Sequence, residues 1–125
     1  MKKIEWILRI GIFGTFLGHG IFAYLGKASW LVYLTTVGIS AQAAPDILKF
    51  IGMLDILVAF IILLRPVKIV IIWALIWTLA TALIRPIAGL PIWDFVERAA
   101  NWAAPLALIT LKGWPRNFRD LFKSK

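Results

Sequence analysis

The sequence predicts an all-α, polytopic membrane protein: four transmembrane helices in an antiparallel bundle, a short interfacial helix between spans one and two, and an amphipathic C-terminal tail. Three observations predict it. The 125 residues are 62% hydrophobic with mean hydropathy +0.89, more apolar surface than a water-soluble domain of this size can bury. Proline, glycine and charge divide the chain into segments of the roughly 20 residues that one crossing needs. The basic residues gather at the ends of those segments and in the tail, as topology signals do. The four spans use up the chain as a single domain, residues 1–125, with no room for a separate soluble one.

Span one covers about residues 4–25 and follows Lys2 and Lys3. A cleaved signal peptide is the competing reading, because Ala41-Gln42-Ala43 resembles a small-residue cleavage site. The apolar stretch is too long for that, and Arg9 and His19 interrupt it, so a retained helix is expected. In the connection that follows, Trp30, Tyr33, Leu34 and Val37 recur at helical spacing. They suit a short helix lying at headgroup level. Span two, residues 46–64, starts at Pro45-Asp46 and ends at Arg65-Pro66. Span three, 67–85, follows at once, and Pro86, Gly89 and Pro91 turn the chain into span four, 92–111. After Gly113, Trp114, Phe118, Leu121 and Phe122 oppose Arg116, Arg119 and Lys123 on a helical wheel, the pattern of an interfacial basic helix anchored on anionic headgroups.

Orientation follows from the basic residues. Lys2, Lys3, Arg9, Arg65, Lys68, Lys112, Arg116, Arg119, Lys123 and Lys125 fall on one side of the four-span layout; Lys27, Lys49, Arg85 and Arg98 fall on the other. Ten against four places both termini in the cytoplasm, as an integral protein of a bacterial inner membrane. The net charge of +8 is accounted for by these topology signals, so no nucleic acid partner is expected. The absence of cysteine excludes disulfides, thiolate metal sites and CxxC redox chemistry.

Two features stand out within the spans. Gly11, Gly14 and Gly18 share one side of span one, and Gly14 to Gly18 is a GxxxG pattern suited to close helix packing, within the bundle or across a dimer. Polar residues also collect in the outer half: His19, about 9 Å below the outer end of span one, Asp55 near the middle of span two, Thr78, Thr81 and Arg85 along one stripe of span three, and Asp94, Glu97, Arg98 and Asn101 in one sector of span four. An ionised aspartate at mid-span costs about 2.5–3.5 kcal/mol, so Asp55 is expected to face inward and to have a partner, with Arg85 and Arg98 the candidates. Pro105 cannot supply the amide that would bond the Asn101 carbonyl. The expected ligand site is therefore a pocket floored by Asp55, walled by His19, Arg85, Glu97, Arg98 and Asn101, with Trp77 and Trp102 as aromatic walls. The competing reading is a closed network fixing helix register, with Asp55–Arg85 and Glu97–Arg98 as internal pairs. No catalytic residue is assigned, and an enzyme is not the favoured reading. No metal or cofactor is expected; a His19/Met53 haem site and a metal on His19, Asp55 and Glu97 are the alternatives weighed, neither supported by ligand spacing.

Leu8-Arg9-Ile10-Gly11, Gly18-His19-Gly20, Gly26-Lys27 and Gly52 followed by an acidic residue in span two resemble the DoxX-like family of small four-helix membrane proteins. The resemblance covers most of the chain in layout. It implies a compact four-helix bundle, often linked to membrane redox systems and in some members to quinone-coupled oxidation of sulfur compounds. Asp55 stands where that family is expected to carry glutamate, and no catalytic residue carries over. The expected function is a small accessory subunit of a larger, redox-linked membrane complex that binds a small ligand or lipid headgroup on the outer side. The alternatives are a quinone-linked oxidoreductase component and a small-solute or proton transporter. Expected partners are the lipid bilayer and other membrane subunits or further copies of the chain.

Overall fold

A computed structural model describes residues 2–125. The described chain is all-α: α1 (Lys2–Tyr24), a 3₁₀ turn (Ala28–Trp30) running into α2 (Leu31–Thr36), α3 (Ala44–Leu64), α4 (Lys68–Ile87), α5 (Ile92–Val96), α6 (Ala99–Lys112) and a closing 3₁₀ turn (Arg119–Phe122). Three of these helices, α1, α3 and α4, are long and apolar enough to cross a membrane. Their limits follow the punctuation. Pro45 lies in the first turn of α3, where a missing N–H costs nothing, and Pro66 separates α3 from α4. Gly89, at φ +97°, closes α4: its own N–H bonds the Pro86 carbonyl, and the Leu90 N–H reaches back to the carbonyl of Arg85. That left-handed residue fits a Schellman closure, which glycine adopts without a Cβ penalty.

α1 packs on α3, α6 packs on α4 and α1, and α2 leans against α3 and α4. Ile12, Phe16, Val58, Ile62, Ile71, Leu108 and Ile109 interlock in the core, with Ala59 and Ala74 as the small residues between them. The α1–α3 crossing is closest at two glycines. A Cβ on Gly52 would lie 2.5 Å from the Tyr24 nitrogen and 2.6 Å from the Gly20 oxygen; one on Gly20 would lie 2.9 Å from the Gly52 oxygen. Of the two packing roles expected for Gly11, Gly14 and Gly18, within the bundle or across a dimer, the first is not met: nothing lies within 4 Å of a Cβ at any of the three. Phe16 and Gly20 turn their side of α1 inward, which rotates the three-glycine face away from the rest of the chain.

The expected fourth span, 92–111, is not one helix. It breaks at Glu97-Arg98 between α5 and α6. The Arg98 N–H bonds Phe95 rather than the Asp94 carbonyl four residues back, and the Arg98 guanidinium takes that freed carbonyl at 2.9 Å. A side chain thus replaces one rung of the helical ladder. The tail is likewise not an α-helix. The Arg116 N–H donates to Asp120 Oδ2 at 3.0 Å and the Asp120 N–H to Asn117 Oδ1 at 3.0 Å, local bonds that compete with helical pairing. Trp114, Phe118 and Phe122 remain exposed, and the Lys68 N–H at the head of α4 bonds the Lys123 carbonyl at 3.0 Å.

At this tail end of the molecule Arg9 reaches from α1 to the last turn of α3. Its Nε donates to the Ile62 carbonyl at 3.0 Å, its Nη2 to Leu63, and its Nη1 to Glu5 at 3.2 Å, while Lys112 of α6 meets the same Glu5 oxygen at 3.4 Å. Carbonyls left free at a helix end are thereby capped by a cation, Arg9 joining α1 to α3 and Glu5 joining α1 to α6.

Candidate functional site: a charged cavity at the opposite end

A cavity of about 220 Å³ opens between α1, α2, α3, α4 and the start of α6. Each wall has a sequence reason. From α1 come Phe16, His19 and Ala23, spaced three and four apart and so on one face. From α3 come Leu48, Ile51 and Asp55 with the same spacing, and from α4 come Trp77, Thr78, Thr81, Ile84 and Arg85. The α4 threonines turn their hydroxyls onto their own helix, Thr78 to the Ala74 carbonyl at 2.7 Å and Thr81 to Thr78 at 3.1 Å. They present methyl groups as well as oxygen, and the lining is predominantly apolar.

Five of the six expected ligand residues meet here: His19, Asp55, Arg85, Arg98 and Asn101 all line the cavity. Glu97 does not. Its carboxylate pairs with Arg98 at 2.7 Å with its side chain 65% exposed, because the α5–α6 break turns residue 97 outward. Of the two expected aromatic walls, Trp77 is present and Trp102 is absent; the Trp102 Nε1 is buried elsewhere without a partner. The aromatic stripe of α2 and the turn before it faces the cavity, with Val37 still 62% exposed. Trp30, Tyr33, Leu34 and Val37 form a wall of the cavity, with Trp30 edge-on to His19 at 5.6 Å. Their helical spacing revealed a shared face but not what that face meets.

The ionisable groups stand at two levels of the cavity. Asp55 is 4% exposed and its Oδ1 has no hydrogen-bond partner. Arg85, further along α4, is as deeply buried at 5% exposed; its guanidinium bonds the Thr81 carbonyl and lies 5.0 Å over the Tyr33 ring. Eight residues of α4 separate Trp77 from Arg85, a rise of about 12 Å. Arg98 and Lys27 stand with Arg85 in electrostatic reach of His19, so this end of the cavity is rich in cations.

The expected Asp55–Arg85 ion pair is therefore not formed: among the described residues the only ion pairs are Arg9–Glu5, Arg98–Glu97, Lys112–Glu5 and Lys123–Asp120. Glu97–Arg98, the other pair of the closed-network reading, is formed. His19, Asp55 and Glu97 are not gathered into a metal-ligand set among the described residues. Met53 faces away from His19, in a separate shallow groove with Tyr24, Ile56, Leu57 and Phe60. What the arrangement offers chemically is a buried acceptor and a buried cation, separated by an apolar slot with aromatic faces.

Comparisons with family models, curated proteins and solved structures return no match to this chain.

Proposed function

We propose that this chain is a small integral membrane subunit that binds an amphipathic small molecule in its cavity and works as an accessory part of a larger membrane assembly. One observation carries the reading. Asp55 and Arg85 are both buried in the same cavity, opposite in charge type, and neither has an ion-pair partner among the described residues. Buried ionisable groups in an apolar layer are expensive unless they are compensated, and a ligand between them supplies that compensation. In this reading α5 and α6 together make the fourth crossing, the cavity opens on the outer side, and both termini are cytoplasmic, in keeping with the ten-to-four division of basic residues. The uncovered Gly11, Gly14 and Gly18 face is where a neighbouring subunit or a second copy would approach.

A transport role is the less favoured reading, because the polar path does not continue. Beyond Asp55 lie the packed side chains of Ile12, Val58, Ile62, Ile71 and Leu108, and the Arg9–Glu5–Lys112 cluster past them is engaged in capping α3. A quinone-linked role remains the second reading, favoured by His19 and Asp55 lining one cavity with Trp77 beside them; its electron donor would come from a partner. Gentle purification from the native membrane followed by native mass spectrometry tests the proposal. Recovery with a larger partner and a retained small molecule is expected. Ala80→Trp, at the exposed rim of the cavity, is expected to retain the partner and lose the small molecule. A lone homo-oligomer carrying nothing, from wild type and variant alike, would overturn it.

A further inference from the structure

We infer that the ligand class of this cavity is an elongated aromatic anion, with an acidic group at one end held by Arg85 and Arg98 and a hydroxyl at the other end donating to Asp55. The assignment rests on the cavity being a ligand site and goes on to say what the site selects. Three features specify the three parts of the molecule.

The deep end is set by Asp55. Its Oδ1 is buried without a partner in a predominantly apolar cavity wall whose polar side chains, the two arginines aside, are His19, Tyr33, Trp77, Thr78, Thr81 and Asn101. Thr78 and Thr81 are committed to backbone carbonyls of α4, and none of these groups bonds the Asp55 Oδ1. An unsatisfied acceptor in an apolar surrounding selects a ligand that brings a donor, and penalises an analogue lacking one, because the acceptor is then left stripped of water and unpaired.

The outer end is set by Arg85 and Arg98. Arg85 has no carboxylate partner among the described residues. Its bond to the Thr81 carbonyl holds the guanidinium one helical turn back toward the floor, as long helical side chains lean. Arg98, although paired with Glu97, also lines the cavity and brings a second guanidinium to the same anion. A guanidinium fork matches a carboxylate better than a point cation does.

The middle is set by the walls. Between the levels of Trp77 and Thr81 the rise is about 6 Å, and between Trp77 and Arg85 about 12 Å. The donor and the acid therefore stand roughly 6–12 Å apart across a body that meets the Trp30, Tyr33 and Trp77 side chains. A flat aromatic body fits such faces. A lipid headgroup does not combine these features, since its anion sits among polar atoms and its apolar part is a flexible chain.

trans-4-Hydroxycinnamate carries all three features and serves as the probe, with cinnamate lacking the donor and methyl 4-hydroxycinnamate lacking the anion. Equilibrium dialysis against the wild-type protein in nanodiscs, corrected by empty nanodiscs for partition into lipid, is expected to rank the hydroxy acid at least about tenfold tighter than either analogue. Asp55→Leu should erase the preference over cinnamate while keeping that over the ester, and Arg85→Met should do the reverse. The wild-type ranking stands alone as a test if either variant fails to fold. Equal binding of all three compounds, or preference for the ester, would overturn the ligand class while leaving the cavity as a binding site. Retention of a small molecule on purification that Ala80→Trp does not reduce would overturn the site itself.

Discussion

Gly52→Ala places a methyl group against backbone, and the structure gives the size of the effect. The new Cβ would lie 2.5 Å from the Tyr24 nitrogen, 2.6 Å from the Gly20 oxygen and 2.9 Å from the Tyr24 Cα. Ordinary contact starts near 3.4 Å, so α1 must retreat from α3 by close to an ångström. Overpacking costs about 1–3 kcal/mol. The upper part of that range applies here, because all three obstacles are main-chain atoms that cannot swing aside as a side chain would. Replacing a mid-helix glycine by alanine returns about 1 kcal/mol of helix propensity. The net loss is therefore about 1–2 kcal/mol. Gly14→Ala is the matched control: nothing lies within 4 Å of its Cβ, so only the propensity gain of up to about 1 kcal/mol remains. The two variants should then differ by about 2–3 kcal/mol, at least 30-fold in the folding equilibrium. Unfolding by sodium dodecyl sulfate in mixed micelles, followed by circular dichroism, resolves such a difference. Gly20→Ala should fall between them, and the double variant should be less than additive, since both substitutions open the same contact. Equal stability of Gly52→Ala and Gly14→Ala would refute the close crossing. Because Asp55 sits one turn from Gly52, the displacement should also weaken binding in the cavity.

Arg9→Leu should destabilise by about 2–3 kcal/mol, since it strips the caps from the Ile62 and Leu63 carbonyls and leaves Glu5 with Lys112 alone; a loss no greater than that of Lys2→Leu in the same titration would contradict this. A cysteine introduced at Val67 or at Ser124 should resist an impermeant thiol reagent in intact cells and react after lysis, whereas labelling of either from outside would reverse the proposed orientation. The Asp120 carboxyl is held below its ordinary value, first by the Arg116 N–H and then by Lys123. Such a group stabilises above its unfolded pKa of 3.8 and loses that contribution as pH falls through the lower folded value. A spin label at Ser124 should thus keep its mobility from neutral pH to about 4 and loosen only below, and Asp120→Asn should already show the loosened spectrum at neutral pH.

Much of the fold was legible because the signals were local. Pro45 and Pro66 mark the limits of α3 within two residues, and the stripes of α4 were read correctly because a helix fixes which residues share a face. That His19, Asp55, Arg85, Arg98 and Asn101 share one neighbourhood was legible, but their pairing was not. Depth placed Asp55 and Arg85 in one neighbourhood, yet their failure to meet depends on the Thr81 carbonyl and Tyr33 engaging the guanidinium, which no spacing encodes. The inward turn of α2 and the rotation of α1 are tertiary choices. A GxxxG pattern names a face able to pack, and here the packing within the chain fell to isolated Gly20 and Gly52. The break at Glu97-Arg98 is harder still, since it arises from one long side chain outcompeting an amide for the Asp94 carbonyl.

The bond from the Lys68 N–H to the Lys123 carbonyl has a consequence for the order in which the molecule is made. The Gly20–Gly52 crossing joins segments that are complete once α3 has left the ribosome, so the α1–α3 pair forms early in synthesis, which proceeds from the N-terminus. The first amide of α4 has no intrahelical acceptor, and the acceptor it uses, the Lys123 carbonyl, lies far downstream in the chain, beyond α6. Closure of this end therefore waits until residue 123 has been made, and a nascent chain halted before Lys123 carries an assembled α1–α3 pair beside an unsealed α4.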